Sequence, residues 1–364
     1  MQLLAVLTLT LVALAVIVNL IGHLDRTGHR PTLKALVTSD TGAVTLAQAA
    51  VLSEDDRSAR IMAKFVIESN ILDRIPFMKI DGNSYAYNTE LAMPGVAFRS
   101  VNEAYVESTG TFNQLFEALV IFGGDADVDR FIQVTRSNLQ DQRKAQEDMK
   151  VKAAAYLYQD TFFNGDVAVN AKAFDGLKKR LTGAQVIDAG VNGMPVYNAT
   201  TVDSLAFLTQ LDLLLAAVPG ITAENGAIYA NSSLLALVRA AGRQVGGVEV
   251  VREDMTGKRV ITWQGIPMLD PGLNLAQTAV LPQTETQGTA AGITSSIYAV
   301  KYGEDEVDAG VTGIYNSDDG DVVMVDDLGM LQEKPALRTR VEVYGGLAVF
   351  GGKAAARLRG IKAA

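Results

Sequence analysis

The sequence predicts an α+β fold. Three stretches carry that expectation. Residues 137–164 read as one long helix, 111–122 and 339–350 as strands far apart in sequence, and 77–108 as an extended β excursion.

The helix has recognisable ends. Ser137 with Gln140 forms a capping box, in which two orphan amides are satisfied at the entrance. Leu139, Ala145, Met149, Ala153, Tyr156 and Leu157 recur at helical spacing and are expected to form its apolar side. Asp148 and Lys152 make an i,i+4 pair on the polar side. Asn164-Gly165 ends the run, with glycine expected in the left-handed conformation of a helix terminus. About 26 residues at ~1.5 Å each give a rod of roughly 40 Å, about twice the usual length.

Between residues 77 and 108, Asp81-Gly82 offers a tight turn, and Tyr85 and Tyr87 alternate with small residues. A loop this long is uncommon without a role, and it has too little apolar surface for a core of its own, so it is expected to lie on something else. The strand at 111–122 leads through Gly123-Gly124 to Asp125, Asp127 and Asp129. Alternate carboxylates are compatible with a hard cation, but the glycine and terminal Glu of an EF-hand are missing. The same residues cap a short helix at 128–134, which is the preferred reading, so no metal site is assigned.

Residues 179–318 are less regular. Helices are expected near 202–218 and 231–242, the second capped by Asn231, with a strand at 226–230 before it. Gly246-Gly247 lacks the spacing and the Lys-Ser/Thr of a phosphate loop. Residues 263–268 read as a strand edge and turn, and 318–321 as a polar turn.

Residues 2–22 carry no charge and are interrupted only by Gln2, Thr8, Thr10 and Asn19. That length spans a bilayer core of roughly 30 Å. No Lys or Arg precedes the run and Arg26, Arg30 and Lys34 follow it, which would put the body on the cytoplasmic side. Two readings stay open: a membrane anchor, or a leader foreign to the mature protein. Residues 31–53 read as an arm. A helix follows at 53–69 with acidic residues in its first turn, and Pro76 forces extended chain.

The chain has 364 residues, 48% of them apolar and 20% charged, so a sizeable core is available. A net charge of −9 argues against a dedicated nucleic-acid binder. There is no cysteine, and both histidines, His23 and His29, precede the body. Ser-His and Cys-His catalytic groupings are therefore excluded there, along with the usual transition-metal ligands. An enzyme would need a Ser-Lys or paired-carboxylate site, and no such group has diagnostic spacing.

Phe162 to Asp166 (FFNGD), followed after a short gap by Phe174-Asp175-Gly176-Leu177, resembles the segment after the spine helix of tailed-bacteriophage major capsid proteins. Strand 339–350, Gly351-Gly352 and the segment after them resemble that family's last long strand and terminus. The order of elements from Thr45 to Ile361 is similar too; residues 1–30 depart from the family. The resemblance implies the head-shell fold shared with encapsulin shells: an arm and helix at 31–76, an extended hairpin loop at 77–108, a peripheral domain with the spine helix at 109–178 and 319–364, and an inserted axial domain at 179–318.

It further implies a virion shell subunit assembled in the host cytoplasm, with copies of itself as partners in hexamers and pentamers. A scaffold protein, the portal and head-decoration proteins are candidate partners, no cofactor is needed, and double-stranded DNA is enclosed without specific recognition. Its implied site residues are interfacial: Lys79, Asp81, Tyr85 and Tyr87 around a hairpin tip expected near 81–87, and Arg143, Lys144 and Glu147 on the rod. Taken singly, each rod charge reads as a solvated helix face. Lys79, the only lysine in 77–108, is where a family-type crosslink would start, though no partner is assignable. The alternative is a membrane-anchored ligand-binding protein using residues 2–22, the one case implying membrane contact.

Overall fold

The structure, a computed structural model, describes Phe65 and residues 69–136, 142–198, 201–245, 251–253, 259–317 and 320–363. The expectations for the apolar run 2–22, the arm 31–53, most of the helix 53–69, the capping box at Ser137, Gly246-Gly247 and the first half of the 318–321 turn lie outside these residues. Among the described residues no helix is long and apolar enough to cross a membrane.

In chain order the first half comprises β1 (Phe77–Lys79), β2 (Ser84–Ala92), β3 (Thr111–Ala118), β4 (Val120–Asp129), α1 (Arg130–Arg136), α2 (Gln142–Asn164) and the short α3 (Leu177–Arg180). Then come β5 (Val186–Asp188), β6 (Met194–Pro195), α4 (Thr201–Ala216), β7 (Gly226–Tyr229), α5 (Ser232–Val245), β8 (Val251–Glu253), β9 (Arg259–Trp263) and β10 (Ile266–Leu269). The chain ends with β11 (Glu285–Gln287), β12 (Ala290–Lys301), β13 (Val311–Tyr315), β14 (Val323–Met330), β15 (Ala336–Val349) and β16 (Ala355–Lys362).

Among the described residues these strands make two large sheets and one two-stranded hairpin. The five-stranded sheet is built on β15. One of its edges pairs with β4, and the other is shared end to end by β14 and β13. β1 adds to β13 in parallel. The nine-stranded sheet runs β5-β16-β12-β7-β10-β9-β8, with β6 also on β16 and β11 on β12. Strands β7 and β12 are apolar on both sides because both faces of this sheet are covered. Ala227, Tyr229, Tyr298 and Val300 join the core around α2, while Ile228, Ala230, Ile297 and Ala299 join a second core with Phe207, Leu211 and Leu214 of α4 and Leu234 and Val238 of α5. The period-two alternation of strand side chains assigns each residue its layer.

The long helix forms where expected, over 23 described residues or about 35 Å, but it buries a different face. Glu147, Val151, Ala154, Ala155, Tyr158, Gln159, Phe162 and Phe163 are buried, whereas Met149 and Leu157 are exposed. Apolar residues occur all round this helix, so two stripes satisfy the same spacing. The aromatic residues decide between them because each buries the most area.

The helix ends at Asn164, but Gly165 does not adopt a positive φ. Its role is close approach: a Cβ there would stand on the carbonyl oxygens of Phe174 and Thr161. Gly176 meets the same turn from the other side, donating to the Gly165 carbonyl at 2.9 Å, and its own Cβ would strike Thr161 O. Asp175 Oδ1 accepts the Val167 amide at 2.8 Å and Asp166 Oδ1 the Ala168 amide at 2.9 Å. The two Gly-containing motifs are therefore halves of one clasp.

Three further readings are corrected. Residues 111–122 form two strands, broken at Leu119, whose amide donates to Asn83 O. The short helix starts at Arg130 rather than 128, with Asp129 Oδ1 accepting the Phe131 amide. Residues 263–268 are not a strand edge but a hairpin turning at Gln264 and Gly265, both at positive φ, with β10 between β9 and β7. The helix over Thr201–Ala216, the strand Gly226–Tyr229 and the Asn231 cap, whose Oδ1 accepts the Ser233 amide at 3.0 Å, agree with expectation.

Because both clasp glycines face backbone, Gly165→Ala and Gly176→Ala are each expected to cost about 3 kcal/mol, the upper end of overpacking. Gly352→Ala, where a Cβ meets nothing, should shift the denaturant midpoint little; equal shifts for all three would contradict the clasp.

Candidate assembly interface

The hairpin β2–β3 pairs in antiparallel register from Ser84↔Ala118 to Ala92↔Thr111, with an irregularity between Glu90 and Ala92. Alternation gives it two unlike faces. One face carries Tyr85, Tyr87, Leu115 and Glu117 and lies against the body at the root. Tyr87 is only 3% exposed, and its ring meets Phe350 edge-on at 5.0 Å beside Ile80, Ile314 and Ala348. Glu117 receives both terminal nitrogens of Arg180, Nη2 at 2.7 Å from Oε2, and the Tyr87 hydroxyl approaches Glu117 Oε1 at 3.2 Å. Arg180 also donates to Asp175 O at 2.6 Å and to Leu347 O at 3.1 Å.

Burial alone would lower the Arg180 pKa, but the hydrogen bond and charge of Glu117 outweigh it and the net shift is upward. Burial first, and then the Glu117 charge, push the Tyr87 phenol far above its ordinary value. Tyr85 donates to Glu306 Oε1 at 2.7 Å, and chiefly that bond raises its pKa to about 12.

The other face presents Phe112, 73% exposed, and Phe116 to solvent. The hairpin's distal loop, 93–110, adds Met93, Val96, Phe98, Val101, Tyr105 and Val106, all exposed. A two-stranded ribbon has no core of its own, and a contiguous exposed apolar surface marks a contact site.

A second apolar cluster lies at the far end of β4. Phe131, Ile132 and Val134 on α1 and Leu328 and Met330 on β14 are exposed. The Arg130 amide donates to Pro335 O, joining α1 to the β14–β15 turn. Ten strand residues separate this cluster from the hairpin root, about 30 Å.

Between them the outer face of the sheet is charged. Asp125 lies opposite Arg340 and Asp127 opposite Arg338, with ion pairs of 2.8 and 2.7 Å, and Lys334 also reaches Asp127. Hydrogen bonds from these arginines hold both carboxyls below the usual Asp range. The alternate aspartates thus serve cross-strand pairs.

The residues singled out from sequence fall into two groups. Lys79 and Asp81 are exposed, but at the end of β1 and in the following turn, and Tyr85 and Tyr87 are at the hairpin root. The expected tip at 81–87 is corrected: the tip is 93–110, and Lys79 belongs to the body sheet. On α2, Lys144 is exposed, whereas Arg143 donates to Thr339 Oγ1 at 2.8 Å and pairs with Asp327 and Glu147. Glu147 is 4% exposed. Tyr87 and Glu147 therefore act within the subunit. Phe98, Phe112, Phe116, Glu117 and Arg180 escaped the sequence reading, although the alternation in TFNQLFEA already separates the two phenylalanines from Leu115 and Glu117.

Since the folded-state pKa of Asp125 and Asp127 is depressed, their contribution is present above the unfolded Asp value near 4 and is lost as pH falls below it. Asp127→Asn should flatten the decline of the urea midpoint between about pH 4 and 2 relative to the parent chain; an unchanged decline would show the pairs to be inert.

Residues 53–202 match the family model of the major capsid protein GP7. No curated protein matches the sequence. Among solved structures the chain is similar to the holo-SrpI encapsulin complex from Synechococcus elongatus PCC 7942, with TM-score 0.57, 19% identity, and coverage of 89% of this chain and 97% of that one. It is similar to the capsid of the native GTA particle, with TM-score 0.53, 15% identity, and coverage of 79% and 89%. It is similar also to the structure of Microbacterium phage Oxtober96, with TM-score 0.53, 11% identity, and coverage of 80% and 90%. Residues 53–202 are thus similar in sequence to the major capsid protein GP7, and the fold over most of the chain is the one found in these capsid and encapsulin shells.

Proposed function

We propose that the chain is the head-shell subunit of a tailed phage, assembling as hexamers and pentamers into an icosahedral shell that encloses double-stranded DNA. The observation that carries this reading is the hairpin, fixed at its root and apolar and exposed beyond it. Its counterpart is the second apolar cluster at the opposite end of β4. Two unlike patches at opposite ends of one subunit suit a heterologous contact, which closes into rings when the rotation allows. The arm of one copy lies over the α1 and β14 cluster of the next.

In this reading the five-stranded sheet and α2 form the peripheral part. The nine-stranded sheet with α4 and α5 forms the axial part, which places β13 in the first and β16 in the second. The net charge of −9 suits a wall that contains DNA without gripping it. The role is structural rather than catalytic, the site of action is the virion after assembly in the host cytoplasm, and a scaffold, the portal and decoration proteins are the further partners. The membrane-anchored alternative rests on residues 2–22 alone.

Sedimentation with negative-stain microscopy of the full chain tests the proposal. Rings or closed particles are expected; a persistent monomer recovered with membranes would favour the anchored alternative. Phe98→Ser with Phe112→Ser should reduce particle yield at least about tenfold while moving stability by no more than about 0.5 kcal/mol per site, as exposed substitutions do. Undiminished assembly would remove the arm from the contact.

A further inference from the structure

The hairpin has two parts with different attachments. Its root, residues 84–87 and 115–118, is tied to the body by the Glu117–Arg180 pair, by the Tyr87 hydroxyl on Val349 O and by the Tyr85 hydroxyl on Glu306. From Asn88 and Gln114 outward, the hydrogen bonds among the described residues stay within the hairpin: Thr89 Oγ1 to Asn113 O, the Gly95 amide to Ser108 Oγ, and the Ser100 amide to Glu103.

The root contacts also differ in kind. Tyr85 and Tyr87 rest on Phe350 at 6.1 and 5.0 Å, and burial of apolar surface is non-directional. The Arg180 fork on Glu117 is directional, because two parallel N–H···O bonds fix a plane. Arg180 stands at the end of α3, immediately after the Gly165–Gly176 clasp that closes α2. A continuous line of short, oriented contacts therefore runs from α2 through the clasp and Arg180 to Glu117 on the hairpin.

We infer that the Glu117–Arg180 pair is a latch that sets the direction in which the arm leaves the subunit, with both residues acting as positioning residues for assembly. The assembly half of this inference rests on the shell reading; the latch itself does not. Its loss leaves the Arg180 charge without its carboxylate, and the root held by the Phe350 contacts and the single hydrogen bonds of the Tyr85 and Tyr87 hydroxyls, which permit more rotation than the fork does. The arm then samples directions that miss the neighbouring copy.

Amide hydrogen exchange of the full chain, kept below its assembly concentration, tests the latch. In Glu117→Gln, amides of 84–87 and 115–118 are expected to exchange about tenfold or more faster, with those of α2 from 151 to 159 unchanged. Arg180→Met added to Glu117→Gln should accelerate the root no further than Arg180→Met alone, since the pair is already lost there. Root exchange equal to the parent chain overturns the latch, as does equal acceleration in α2, which would make the pair a general stabiliser. Where the parent closes shells, Glu117→Gln should give open or irregular ones; closed shells of parental size from a loosened root overturn the assembly half. If the parent forms no shells, the shell reading fails while the exchange result still decides the latch.

Discussion

The aromatic side of α2 holds the two sheets in one body. Tyr158 contacts Phe77 of β1 and Phe122 of β4 at 5.8 and 6.0 Å, and Phe174 beyond the helix end at 5.6 Å. Little more than one turn further on, Phe163 contacts Tyr229 and Tyr298 of the larger sheet at 5.5 and 5.0 Å. Rings at these separations add to stability beyond the area they bury, and on a rigid helix they also fix the distance between the sheets. The Gly165–Gly176 clasp, α3 and the hairpin root all take their positions from the end of this helix.

Much of this was legible, and the failures have physical causes. Elements with local signals came through: a long helix ended by Asn164-Gly165, a strand running into the Asn231 cap, and the long strand around Tyr344, though not the last strand, Ala355–Lys362. The side of α2 that is buried was not legible, because Met149 and Leu157 keep helical spacing as well as Val151 and Tyr158 do. The sequence marks Gly165 as a left-handed helix end, whereas its role is close approach to Phe174, which lies across a turn whose path sequence does not show. Glu117 and Arg180 could not be paired in advance because their contact joins a strand to a helix at long range. Asp125 and Asp127 looked like ligands or caps until β15 supplied Arg338 and Arg340 opposite them.

Charge and apolar surface are used differently across the molecule. The carboxylates of β4 and Glu147 on α2 are engaged within the subunit, with Arg340, Arg338 and Arg143. Phe98, Phe112 and Phe131 are left exposed at the extremities. A free subunit therefore presents adhesive surface at two separated points and a charged face between them. That limits indiscriminate side-by-side association while leaving end-directed contact favourable.

β4 has one more consequence. All ten of its residues, Val120 to Asp129, are held in register with β15, so the strand cannot lengthen or shorten without breaking a ladder. In the proposed assembly it would work as a gauge block between the place where a subunit reaches out and the place where it is reached. Lattices built from such units keep a constant repeat length, and changes in their curvature are confined to rotation at the joints.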